Sequence, residues 1–144
     1  MPKANEHHRA RRLALQGLCC LDVQGQRVMD LVLAFINECH EAPGTLAEAH
    51  QMLLGASNNR SQSDELLGGQ SQHWDVGRMA LVDRNILRLA VWEMAEGRLP
   101  HSIAMSEAML LAKEFATAES SRFINGVLDA VSKRLQERGA AEAP

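Results

Sequence analysis

Apolar positions recur at helical spacing along most of the chain. Ala10, Ala14, Leu18 and Leu21 form one stripe, with Gly17 allowing close approach on the same side, and predict a first helix over about residues 8–23. Gly25 follows as a C-terminal cap. Val28, Leu31, Val32, Phe35 and Ile36 predict a second helix over about residues 27–39, ended by Pro43 and Gly44. Thr45-Leu46-Ala47-Glu48 fits a capping box, in which Thr45 accepts the Glu48 N–H and the Glu48 carboxylate reaches back to the Thr45 N–H. A third helix is therefore expected from Leu46 through Leu54.

The pattern weakens over residues 55–75, where Ser57, Asn58, Asn59, Ser61 and Ser63 are poor interior helix formers. Leu53 and Leu54 on one side, and Leu66 and Leu67 on the other, bracket the gap as one helix or two with a kink would. Helix is assigned to about residues 63–67. The loop after it, residues 68–74, marks the boundary between an N-terminal helical half, 8–67, and a C-terminal one, 75–138.

A fourth helix is expected from about Asp75 to Glu96. Val82, Ile86, Leu89 and Ala90 make one stripe and Leu87, Val91 and Met94 a neighbouring one, the wide apolar surface of a central helix. Asp83, outside those stripes, is expected to face solvent. Gly97 and Pro100 give a stop and a fresh start. A fifth helix follows to Phe115. With Thr117 as N-cap, a sixth covers about residues 118–138, inward through Ile124, Leu128, Val131 and Leu135. Asn125-Gly126 would signal a hairpin between alternating flanks. These flanks have helical period, so Gly126 reads as a close helix–helix contact, and the tail 139–144 as frayed.

Composition agrees with helices. Aromatic residues make up 3% and tyrosine is absent, so the core is built from Leu, Ala, Val, Ile and Met. At roughly 100–200 residues per domain, the 144 residues make a single compact domain. The expected fold is all-α, with about six to seven helices. No run approaches a membrane span and no apolar signal core follows the first charges, so the expected location is cytoplasmic. Cys19, Cys20 and Cys39 read as small apolar residues in a reducing compartment.

Charge is unevenly placed. Residues 1–12 carry Lys3, Arg9, Arg11 and Arg12 against Glu6, a net +3, and the other 132 residues carry −6. A basic arm on an acidic body is one signature of nucleic-acid binding, a solvated tail being the alternative. Arg11 and Arg12 lie in the first turns of a helix, which fixes part of the arm to a surface. Catalytic chemistry finds little support. No phosphate loop, GxSxG or HExxH occurs, and Glu6/His8, Glu38/His40 and Glu48/His50 stand at i, i+2, on different helix faces. Asp64 and Glu65 read as a solvated turn, and His73 beside Trp74 as packing or surface. No enzyme activity, cofactor or metal is expected.

Three stretches carry a resemblance. They are His8 through Leu18 (HRARRLALQGL), Val82 through Glu93 (VDRNILRLAVWE), and Ile103 through Asp129 with its AKEF and SRFINGVLD runs. In this order, over most of residues 8–130, they closely resemble the NusB family of bacterial transcription antitermination factors. The resemblance implies two small helical bundles packed together. It implies binding to boxA RNA of ribosomal RNA operons, as a heterodimer with the ribosomal protein NusE, on an RNA polymerase elongation complex with other Nus factors.

By position, the family's arginine-rich motif falls on His7, His8, Arg9, Arg11 and Arg12, with Lys3 adding charge ahead of it. Arginine suits such a site because its planar guanidinium forks onto phosphates and stacks on bases. A second RNA-facing patch maps to Ser120, Arg122 and Phe123. Phe123 would stack an unpaired base there, or pack in the core beside Val127. The NusE-facing surface maps partly to the fourth helix, at Asp83, Arg84 and Leu87.

Some positions depart from the family's pattern. His7 and His8 replace Arg or Lys, and histidine, unlike arginine, titrates around neutral pH. Cys19 stands where a tyrosine is frequent, Arg12 where an acid is frequent, and Trp92 replaces another tyrosine. The competing reading is a NusB-like protein-interaction or dimerisation module with weak RNA binding. A third, a NusB-like domain ahead of an RNA methyltransferase, would need a cofactor-binding domain for which a chain ending at Pro144 has no room.

Overall fold

A computed structural model describes residues 4–68 and 75–142. The described residues form seven α-helices and two short 3-10 turns, with no strand. The all-α expectation holds. Contacts divide the chain into two units, Met1–Asn58 and Asn59–Pro144. Lys3, the loop residues 69–74 with His73, and residues 143–144 lie outside the described residues.

The first unit holds α1 (Ala4–Gln24), α2 (Met29–Asn37) and α3 (Pro43–Asn58). α1 starts four residues ahead of the expected His8. Glu6 in its first turn suits the positive end of the helix dipole. Gly25 closes it at φ +95°, where a side chain would be strained, and its N–H reaches the Leu21 carbonyl at 2.7 Å. A 3-10 turn over Gln26–Val28 precedes α2. α1 packs along α3, and α2 against both. The close approach expected at Gly17 is present: a Cβ there would stand 3.1 Å from side-chain carbons of both Leu53 and Val32.

The capping box is not. α3 begins three residues earlier than Leu46, with Pro43 at the first helical position, where its missing N–H costs nothing and its φ is preset. The Leu46 N–H already bonds the Ala42 carbonyl at 3.1 Å, so Thr45 is fully buried inside the first turn and is not the cap. α3 also runs four residues past Leu54. Ser57 is tolerated there because its hydroxyl donates to Gln26 Oε1 at 2.7 Å.

The second unit holds α4 (Arg60–Gly68), α5 (Leu81–Ala95), α6 (His101–Phe115) and α7 (Ala118–Glu142). α4 is longer than expected and packs on α5 and α7, so it belongs with the later helices although the sequence placed residues up to 67 in the N-terminal half. Asp64 is no solvated turn: its carboxylate holds buried Arg88 of α5 in a two-bond fork, Nε to Oδ1 at 2.7 Å and Nη2 to Oδ2 at 2.8 Å. α5 begins at Leu81, not Asp75. The Asp75 carboxylate instead caps a 3-10 turn over Val76–Arg78, accepting the Gly77 N–H at 2.9 Å, and Met79 is extended.

α4, α6 and α7 all pack against α5, and every residue from Asn85 through Met94 is buried. Gly97 ends it at φ +68° in a Schellman motif, its own N–H to Met94 at 3.2 Å and the Arg98 N–H to Glu93 at 3.1 Å. The Thr117 Oγ1 accepts the Ser120 N–H at 3.0 Å, as an N-cap should. Gly126 makes no close contact. It is exposed, and a Cβ built on it meets nothing within 4 Å. α7 continues to Glu142 through the tail expected to fray, because a formed helix extends cheaply through alanines such as Ala140 and Ala141.

Candidate nucleic-acid interface

α1 sets the arginine-rich candidates on successive turns, and the structure sorts them. Arg9 is one-third exposed and Arg12 partly exposed. Arg11, expected to meet phosphate, is only 4% exposed. It follows Ala10 and precedes Ala14 and Leu15, all buried, so a helix fixed by those residues carries its stem inward. His8 is partly buried.

Two of these side chains face carboxylates from distant parts of the same unit. His7 Nδ1 lies 2.7 Å from Glu48 Oε1 and 2.8 Å from Oε2. Arg9 donates Nε–H to Glu41 Oε1 at 2.7 Å, with Glu6 Oε1 4.0 Å from its Nη2. Glu48, expected to close a capping box, is thus turned toward α1. Glu41 and Glu48 are the residues that sequence reasoning missed. They stand 32 and 41 positions from their partners, beyond the reach of any local signal.

In the second unit, α7 presents Ser120, Arg122 and Phe123 in its first turns. Arg122 is exposed, Phe123 is half-buried, and the Ser120 hydroxyl donates to Asp83 Oδ2 at 2.8 Å. Asp83 is therefore not the exposed acid expected. It is 7% exposed, because α5 is covered beyond its two apolar stripes. Leu87 is fully buried for the same reason and presents no surface to a partner. Of the three candidate partner residues only Arg84 keeps partial exposure, and its Nη1 donates to the Val76 carbonyl at 3.3 Å.

Among the described residues, no three His, Cys, Asp or Glu side chains converge as a metal site. None of the described helices is long and apolar enough to cross a membrane. Of candidate catalytic residues, His101 faces Ser132, Nδ1 to Oγ at 2.7 Å. Trp92 is buried beneath Arg98, whose guanidinium carbon lies 4.8 Å from the ring centre.

The sequence pattern of the NusB family matches residues 8–133, from the first arginine-bearing turns of α1 into the second half of α7. The chain belongs to the NusB family. A transcription antitermination protein NusB of Symbiobacterium thermophilum is 41% identical, with 94% of this chain and 93% of that protein covered. NusB of T. maritima shares the fold at a TM-score of 0.81 and 27% identity, over 92% of this chain and 93% of that one. The fold also matches a chain from a crystal structure of antitermination factors NusB and NusE in complex with dsRNA. There the TM-score is 0.78 at 23% identity, over 92% of this chain and 99% of that one. The NusB match thus takes in Arg9, Arg11 and Arg12 as well as Ser120, Arg122 and Phe123, the two candidate patches.

Proposed function

We propose that this NusB-family chain binds boxA RNA of ribosomal RNA operons together with NusE. In this role it joins other Nus factors on an RNA polymerase elongation complex in the cytoplasm and acts as one domain. The observation that carries the reading is the family match over residues 8–133, which spans both arginine-bearing helix starts. Arg9 and Arg12 of α1 and Arg122 of α7 supply the cations that phosphates require, and Phe123 offers a ring face beside one of them. The association of NusB and NusE with RNA in a protein of the same fold supports the partner set. The acidic body suits a basic ribosomal protein, although Asp83 and Leu87 are too buried to form that contact themselves.

A second reading, an interaction module with weak RNA binding of its own, is favoured by the burial of Arg11 and by the carboxylates facing His7 and Arg9. One titration separates the two: the protein alone and with its own NusE, on boxA and on scrambled RNA of equal length. The proposed function expects preference for boxA that tightens when NusE is present. Equal affinity for both RNAs, with NusE bound, would leave the interaction module as the function.

A further inference from the structure

Glu41 and Glu48 each face a basic group of the candidate RNA-binding arm. Glu41 places Oε1 2.7 Å from Arg9 Nε, and Glu48 places its two oxygens 2.7 and 2.8 Å from His7 Nδ1. A carboxylate and a phosphate offer a guanidinium the same pair of acceptors. We propose that Glu41 and Glu48 act as internal phosphate mimics that compete with RNA for the basic face of α1. The inference rests on the RNA-binding function proposed above and names how that site is regulated.

Three observations carry it. The acids do not come from α1 itself: Glu41 precedes α3 and Glu48 lies within it, so both are brought to the arm by the fold. The pairs sit at the solvent boundary, with side-chain exposures of 33% for Arg9 and 22% for Glu41, and 41% for His7 and 14% for Glu48. An ion pair in such a place adds little to stability, so an incoming anion can replace one partner without unfolding the unit. The two acids also lower the local charge. The arm's net +3 falls to +1 once Glu41 and Glu48 are counted beside it. RNA must therefore displace two carboxylates before it collects those contacts. The isolated chain then holds RNA loosely, and tight binding needs the additional contacts of a partner.

The opposite role is open to the same geometry: the acids would position Arg9 and His7, and their loss would weaken RNA binding. The sign of the effect decides. Glu41→Gln and Glu48→Gln keep an acceptor oxygen and remove the charge. Fluorescence anisotropy with boxA and scrambled single-stranded RNA should show the double variant binding both about tenfold more tightly, since like charge at an interface is strongly unfavourable. Exposed Glu38→Gln measures the general effect of removing one nearby acid and should change affinity less than about twofold, as screened surface charges do. In an Arg9→Ala background the gain from Glu41→Gln should fall to that of Glu38→Gln, because the cation it frees is gone.

A weaker complex for the double variant, or a gain no larger than that of Glu38→Gln, overturns the competition. If Arg9→Ala leaves affinity unchanged in the Glu41→Gln, Glu48→Gln background, the freed cation meets no RNA and the inference fails while RNA binding elsewhere stands. If neither wild type nor variant binds RNA, the RNA-binding function fails first and takes the inference with it. An independent readout needs no variant. The Arg9 Nε–H resonance of the wild-type protein should shift on saturation with boxA RNA as Glu41 is displaced, and an unmoved resonance overturns the proposal.

Discussion

The Ser120 hydroxyl donates to Asp83 Oδ2 at 2.8 Å, tying the first turn of α7 to the first turn of α5. Sequence placed these residues on two different surfaces, one for RNA and one for a protein partner. They form a single internal contact. Ser120→Ala should cost about 1 kcal/mol, the usual net value of a hydrogen bond. Asp83→Lys should cost about 3–5 kcal/mol, because it leaves a charge of the wrong sign in a nearly closed site. Urea melts followed by circular dichroism test both. An Asp83→Lys protein that melts with the wild type would show that the carboxylate is not confined.

Asp64 and Arg88 link α4 to α5 by two parallel hydrogen bonds. Arg88 has 10% of its side chain exposed and Asp64 31%, so the guanidinium is the costlier group to leave alone. Asp64→Ala should destabilise by about 1–3 kcal/mol, because it removes a charged hydrogen-bond partner from the nearly buried guanidinium while the carboxylate side of the pair stays part-exposed. Arg88→Met in the same protein should recover much of that loss. A double variant that is less stable than Asp64→Ala alone would contradict this.

Two glycines test the packing. Gly126→Ala places a methyl group in open space within a helix and should stabilise by about 0.5–1 kcal/mol. Gly17→Ala gains the same helix propensity but brings its Cβ to 3.1 Å from Leu53 and Val32, which must yield. It should gain nothing or lose stability. Thermal melts giving the two substitutions equal gains would mean that the α1–α3 contact is looser than described.

Arg11 and Arg122 should behave oppositely. Arg11→Ala removes a buried stem and head and should lower stability by at least about 1 kcal/mol. Arg122→Ala changes an exposed residue and should leave stability within about 0.5 kcal/mol. If Arg122 meets a phosphate, its loss flattens the log–log salt dependence of RNA binding by about 0.7. Salt titrations with an unchanged slope would remove Arg122 from the RNA site.

The parts of the fold legible in the sequence are those decided within a few residues. The Thr117 cap and the stop at Gly97 were readable because each is a local backbone requirement. The stripe Ile124, Leu128, Val131 was readable because one helix face met a core. Asp83 was misread because an amphipathic pattern gives one buried face, whereas α5 is packed by three helices and buries residues outside it. Thr45 and Glu48 had the spacing of a capping box, but Pro43 started the helix sooner and a histidine 41 positions away took the carboxylate. At the candidate RNA site, residue types could be placed on α1 from sequence. Which arginine points inward, and which acids face the others, is set by tertiary contacts that no spacing records.

The Asp64–Arg88 fork also sets an order of events during synthesis. The contacts among α1, α2 and α3 need nothing beyond residue 58, so those helices can close as soon as Asn58 has left the ribosome. α4 emerges next, yet Asp64 must wait 24 more residues for its arginine. Until then α4 is a nine-residue helix without the neighbours that stabilise it, too short to persist alone. A nascent chain whose emerged part ends just before Arg88 should therefore be protease-resistant through α3 and cleavable within α4.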